Sequence, residues 1–213
     1  MSRGDAPLRT AARLSEQEYQ RAAKVILDRI YREVEIQWHP FLGVGRDIYA
    51  PRIDIAVGPF AIERRRFEEQ YTELLLETRP FIESLIERHN QNIDAAEQRA
   101  SFDTIAFFNL NARCFLCIEI EDSGSRKHCL GNLVNASALG RIGLLIARSE
   151  EMLRTFVRQR VYLRFLADVE KNSFRTDNTL VLSAQQFDEC LQLALLGRGA
   201  SPISESHESG YVP

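Results

Sequence analysis

Only four cysteines occur in the chain's 213 residues, at positions 114, 117, 129 and 190. They are too few and too unevenly placed for a disulfide scaffold. Cys114, Cys117, His128 and Cys129 have the composition of a zinc site, but a zinc knuckle needs a tight turn between its first two cysteines. Here those two lie inside "RCFLCIEIE", which reads as strand, where positions three apart point to opposite faces. Buried structural thiols are the expected reading. No apolar run reaches the roughly 18 residues of a membrane span, and the opening "MSRGDAPLRTAARLSEQ" has no continuous apolar segment of a signal peptide. A soluble protein of the cytoplasm with no membrane partner is therefore expected. Charge of neither sign dominates: the net charge is −3. Nucleic-acid binding must come from a local patch or a metal ion, since bulk charge will not supply it. There is no P-loop, GxGxxG, GxSxG or HExxH, and His39, His89, His128 and His207 share no metal-ligand spacing.

With 45% apolar and 27% charged residues, the chain has an ordinary globular balance and is long enough for one domain with a proper core. Residues 1–14 and the Ser-, Pro- and Glu-rich residues 200–213 read as flexible tails around a single domain over 15–199. In "SEQEYQRAAKVILDRIYREVE", Ser15 and Glu18 fit a capping box, and Tyr19, Ala22, Ala23, Ile26, Leu27 and Ile30 follow helical spacing. Short strands are expected at Val34–Trp38 and in "RIDIAV", where Ile53, Ile55 and Val57 alternate with Asp54 and Ala56. Trp38 reads as a packing anchor beneath the first helix. Residues 61–110 read as a helical insertion, with Pro80 suited to a first turn. "RCFLCIEIE" is the strongest strand. The helix "KHCLGNLVNASALG" follows, with Leu130, Leu133, Val134 and Ala138 inward and Gly140 at its end. Next come the strand "RIGLLIA", a long helix begun near Ser149, the strand "NTLVLS", and a helix begun at Ser183. Strands alternating with helices predict an α/β fold: a mixed central β-sheet flanked by helices, with a right-handed crossover between parallel strands after "RCFLCIEIE".

An apolar strand ending in two glutamates is unusual, because charged side chains are seldom buried without a partner. Alternation places Phe115, Cys117, Glu119 and Glu121 on one strand face, so the carboxylates sit about 6 to 7 Å apart. Asp54 lies in an equally apolar strand. If the two strands pair, three carboxylates converge and call for a cation, and hard oxygen ligands suit Mg²⁺ or Mn²⁺. Alternatively, the acids form the solvated lip of a sheet, paired with Arg113, Arg126 or Arg141.

The aspartate of "PRIDIAV", the later "EIE" at a strand end and the following helix resemble the PD-(D/E)xK nuclease superfamily. The resemblance covers residues 15–147 and implies a restriction-endonuclease-like core. It further implies that Asp54 and Glu119 hold a divalent metal, with Mg²⁺ or Mn²⁺ as cofactor, and that DNA is the substrate. The family's lysine is replaced by Glu121, giving E-x-E for E-x-K, which leaves Glu121, or Lys127 swinging back, to orient the attacking water. A polar residue of the next helix near the site corresponds to Asn135.

In "EDSGSRKH", Gly124 and two serines permit tight turning, and Arg126, Lys127 and His128 sit at a helix start where backbone N–H groups can meet a phosphate. A capped loop with solvated basic residues explains the same pattern, as helix-surface ion pairs explain Arg64–Arg66 in "ERRRFEE". Three functional readings follow: a metal-dependent phosphodiesterase; a nuclease-like fold that binds nucleic acid or a protein partner in a defence or repair complex without cutting; and a regulator dimerising through Val157, Val161, Phe165 and Leu166.

Overall fold

The computed structural model describes residues 14–41, 51–61, 67–94, 97, 99–171 and 175–199. The tails at 1–13 and 200–213, and Arg64–Arg66, lie outside them. Leu14, expected to belong to the tail, is half-buried and packs against the core.

Helix α1 (Glu16–Ile30) starts where the sequence says it should. Ser15 Oγ accepts from Glu18 N at 3.3 Å while the Glu18 carboxylate takes Ser15 N at 2.8 Å, so two orphan donors of the first turn are satisfied. Strands β1 (Val34–Trp38) and β2 (Ile53–Val57) follow, then α2 (Glu68–Glu77), α3 (Arg79–Asn92, with Pro80 in its first turn) and α4 (Phe102–Ala106). Next come β3 (Cys114–Glu121), α5 (Arg126–Leu139), β4 (Gly140–Ala147), α6 (Glu150–Asp168), β5 (Thr179–Ser183) and α7 (Ala184–Gly199).

The five strands lie in sequence order. β1–β2 and β2–β3 are antiparallel, whereas β3–β4 and β4–β5 are parallel, with α5 and α6 as the crossovers. The chain is thus an α/β protein with a mixed sheet flanked by helices. Both faces of the sheet are covered, which is why β3 and β4 are nearly continuous apolar runs. On one face Ile55, Leu116, Ile118, Ile142, Leu144 and Leu180 pack beneath α1, α3 and α7. On the other, Ala56, Cys117, Leu145 and Val181 meet Leu133 of α5 and Phe156 of α6.

Several local expectations change. Trp38 is buried, but on the α5–α6 face, stacked on Phe60 with ring centroids 4.9 Å apart, so it does not sit under α1. Ala138 is exposed, and Ala136 and Ser137 face inward in its place. Gly140 does end α5, but with φ of −86° it passes straight into β4. A Cβ there would lie 2.5 Å from Ile142 O and 2.8 Å from Cys117 Cβ, so close approach explains this glycine. The carbonyls at the end of α5 are taken by side-chain amides instead. Asn109 Nδ2 reaches Ser137 O at 3.0 Å, and Asn178 Nδ2 reaches the same oxygen at 3.0 Å.

Cys114 and Cys117 belong to one cluster facing α5, their thiols directed at Leu139 O (3.6 Å) and Asn135 O (3.9 Å). Strict alternation fails because Phe115 and Leu116 both join the opposite cluster, which leaves Cys114 and Cys117 on one face. All four cysteines are free and buried. On α6 the core takes Met152, Phe156, Arg160 and Leu163. Val157, Val161 and Leu166 are half-buried, while Phe165 is 58% exposed.

The outer rim of β5 is closed by its surroundings. Thr179 N donates to Thr176 O at 3.0 Å, Val181 N to His89 Nδ1 at 3.0 Å, and Ser183 N to Gln186 Oε1 at 2.9 Å. Asn92 Nδ2 meets Val181 O at 2.9 Å. Among the described residues no helix is long and apolar enough to cross a membrane.

Candidate functional site

The register of the antiparallel strands brings the acids together. Gln37 lies between the pairs Ile36–Ile55 and Trp38–Ile53, and so opposite Asp54. On the other side, continuing the Ile55–Ile118 register by one residue sets Asp54 opposite Glu119. At this point the carboxylate of Asp54 enters the ladder, its Oδ2 accepting from Ile120 N at 2.8 Å. Oδ1 accepts from Gln20 Nε2 at 2.9 Å and Gln37 Nε2 at 3.1 Å. Glu119, at 3% exposure, is as buried as the core leucines.

Desolvation is the largest influence on both acids. Burial lifts the Asp54 carboxyl to about 6, opposed by its bond from Ile120 N and reinforced by Glu16. Burial likewise lifts Glu119 well above the ordinary carboxylate range, with Asp54 as the next cause and Glu121 and Glu16 adding to it. Glu16 is itself raised, by burial and then by Glu121, with Arg148 acting against it. Four acids from α1, β2 and β3 therefore sense one another. Among the described residues, Asp54, Glu119 and Glu121 form no ion pair with any arginine or lysine. Arg113 donates to Ala61 O, the buried Arg141 donates to Asn109 O, and Arg126 is exposed on α5. The arginine-paired lip does not describe this site.

Arg148, next after the end of β4, lowers the tendency of Glu16 to hold a proton. It donates to Leu14 O and lies 3.8 Å from Asp122. Glu121 is half-buried and accepts from Asn132 Nδ2 at 3.4 Å. Gly124 packs so closely on that carboxylate that a Cβ would fall 2.4 Å from it, so a side chain there would make the Glu121 carboxylate shift.

The basic residues are less tightly tied. Ser125 caps α5, its Oγ accepting from His128 N at 3.4 Å, and Arg126, Lys127 and His128 are exposed around that first turn. No hydrogen bond or ion pair joins Lys127 to the acids. Asn135 is turned to Cys117 through its carbonyl, and Asn132, one helical turn earlier, makes the side-chain contact to the acids. Sequence reasoning missed Glu16, Gln20, Gln37 and Asn132. For the first two a signal was available, since polar residues at 16 and 20 are one helical turn apart. Nothing in the composition of β1 singles out Gln37.

Among the described residues no three His, Cys, Asp or Glu side chains are grouped closely enough to hold a metal ion by themselves. Two carboxylates suffice for Mg²⁺, which normally takes one or two from the protein and completes its shell with water and substrate phosphate. A buried glutamate that has no cationic partner among the described residues, beside an aspartate on the next strand, is a hard-oxygen donor pair that fits such an ion. No family model, curated protein or solved structure matches the chain.

Proposed function

We propose that the chain is a metal-dependent nuclease that hydrolyses phosphodiester bonds, with DNA as substrate and a restriction-endonuclease-like core. One observation carries the reading. Asp54 and Glu119, 65 positions apart in the chain, stand side by side on β2 and β3, Glu119 buried and Asp54 half-buried, and among the described residues neither has a cationic partner. The strand order supports it as well, since an antiparallel β1–β2–β3 meander followed by a parallel crossover to β4 is the arrangement that the resemblance implies.

Asp54 and Glu119 would hold Mg²⁺ or Mn²⁺. The ion supplies a bound water of lowered pKa and neutralises charge developing on the phosphate. Glu121, held by Asn132, orients the water from the position where the family carries lysine. Arg126, Lys127 and His128 stand at the α5 start to meet the nucleic-acid backbone, alongside the first-turn N–H groups. The test is incubation of the pure protein with Mg²⁺ or Mn²⁺ and a mixture of plasmid, linear and single-stranded DNA. Cleavage that disappears in Asp54→Ala and Glu119→Ala is expected. Absence of cleavage, together with no difference in cation-binding heat between wild type and these variants, removes the proposal.

A second reading has its own observation. The carboxylate of Asp54 already accepts three hydrogen bonds, and Glu121 replaces the family's lysine. A fold of this kind could bind nucleic acid, or serve a defence or repair complex, without cutting. Binding that persists in EDTA and survives both carboxylate substitutions favours that reading.

A further inference from the structure

Gln37 is one of two non-glycine residues among those described whose φ is positive, at 53°. It sits inside a five-residue strand, where the extended conformation is the cheap one. A long side chain in the left-handed region is destabilising and persists only when its surroundings impose it. Its position is opposite Asp54. From there Nε2 uses both hydrogens, one on Asp54 Oδ1 at 3.1 Å and the other on Gln20 Oε1 at 3.2 Å. Gln20, 1% exposed, gives its own Nε2 to Asp54 Oδ1 at 2.9 Å and to Glu16 Oε1 at 3.4 Å. Each amide has one workable orientation, because flipping either would turn a carbonyl oxygen toward a carboxylate.

An ionised carboxylate offers about four lone-pair sites. On Asp54 two are filled on Oδ1 by the glutamines and one on Oδ2 by Ile120 N. A single acceptor site is left, on the oxygen beside β3 and Glu119. We infer that Gln37 is a positioning residue: its left-handed backbone is retained because it clamps Asp54, with Gln20, into one rotamer that presents a single oxygen lone pair, making Asp54 a one-point donor toward whatever cation or proton donor the acids accept. The identity of that cation as Mg²⁺ rests on the nuclease reading; the clamp does not.

Two variants separate strain from clamping. Gln37→Gly removes the amide and relieves the backbone, whereas Gln37→Ala removes the amide and keeps the strain. In cation-free protein, hydrogen exchange at the Ile120 amide is expected to accelerate about tenfold in both, because Asp54 no longer stays on that N–H. The melting temperature should rise in Gln37→Gly and fall in Gln37→Ala. Slower or unchanged Ile120 exchange in the stabilised glycine variant overturns the inference, since a residue that is merely strained predicts that result. A Mg²⁺ titration of the side-chain amides of Gln20 and Gln37 forms the second arm. Weaker Mg²⁺ binding in Gln37→Gly, by about tenfold, supports the clamp. Unchanged affinity overturns its role toward the cation. Wild-type protein that takes up no Mg²⁺ but shows the exchange effect retains the clamp and removes the nuclease reading.

Discussion

One row of residues crosses the sheet from Gln37 through Asp54, Glu119 and Leu145 to Val181, and its two ends treat a proton in opposite ways. At the β2–β3 end burial pushes acids upward, Asp54 to about 6. Next to β5, burial is again the largest cause and Arg160 the next, but His89 is pushed down to about 3. Desolvation favours the neutral form in both places. It therefore makes the acids hold a proton and the imidazole refuse one. The folded protein binds a proton at Asp54 that the unfolded chain releases, so this contribution is complete below about pH 4 and disappears as pH rises through 6. His89 runs the other way. Its contribution is complete above about pH 6.5 and disappears as pH falls toward 3. Only the first end gathers several carboxylates from different elements, and that difference separates a candidate site from a structural histidine.

The largest expected effect lies at the acid end. Glu119→Gln or Asp54→Asn should reduce Mg²⁺-dependent cleavage by about a thousandfold or more, which corresponds to several kcal/mol of lost charge stabilisation. A plasmid-nicking time course checks this, and a loss below tenfold would place the chemistry elsewhere. The histidine end comes next. Between pH 6.5 and 4 the wild type should lose about 3 kcal/mol through His89, a loss that His89→Gln abolishes while its side-chain oxygen still accepts from Val181 N. Urea unfolding of both proteins across that range provides the measurement. Between pH 4 and 7.5 the wild type should in turn lose about 2 kcal/mol through Asp54, a loss that Asp54→Asn abolishes. Smallest is Ser15→Ala, which removes half of the α1 capping box and should cost about 1 kcal/mol at any of these pH values. Because Glu16 opens the same turn, this substitution also reports whether the acids depend on a firmly seated α1.

Much of the fold could be read from residue pattern. Alternation identified β2, an apolar run identified β3, helical spacing and Ser15 identified α1, and the succession of elements gave the α/β class with a parallel crossover from β3 to β4; the second, from β4 to β5, came from the structure. Asp54 and the glutamate pair stood out for a physical reason, being charges in apolar runs. The environment of Asp54 could not be read in the same way. Gln37 becomes its neighbour through the register of two strands joined by a 14-residue connection, and nothing local reveals a register set that far away. Asn132 and Asn135 differ only in helical phase, which hydrophobic pattern fixes poorly in α5 because its apolar residues surround the helix. Trp38 was assigned the wrong face because a five-residue strand with a left-handed residue before its last position does not alternate regularly.

The three outward amides of β5 already have acceptors in the protein's own chain. A stray extended peptide that reaches this border finds no donor to pair with, so sheet growth from one molecule to the next is blocked there. Crowding enough to drive fibril seeding in proteins with open borders should leave this side of the molecule inert.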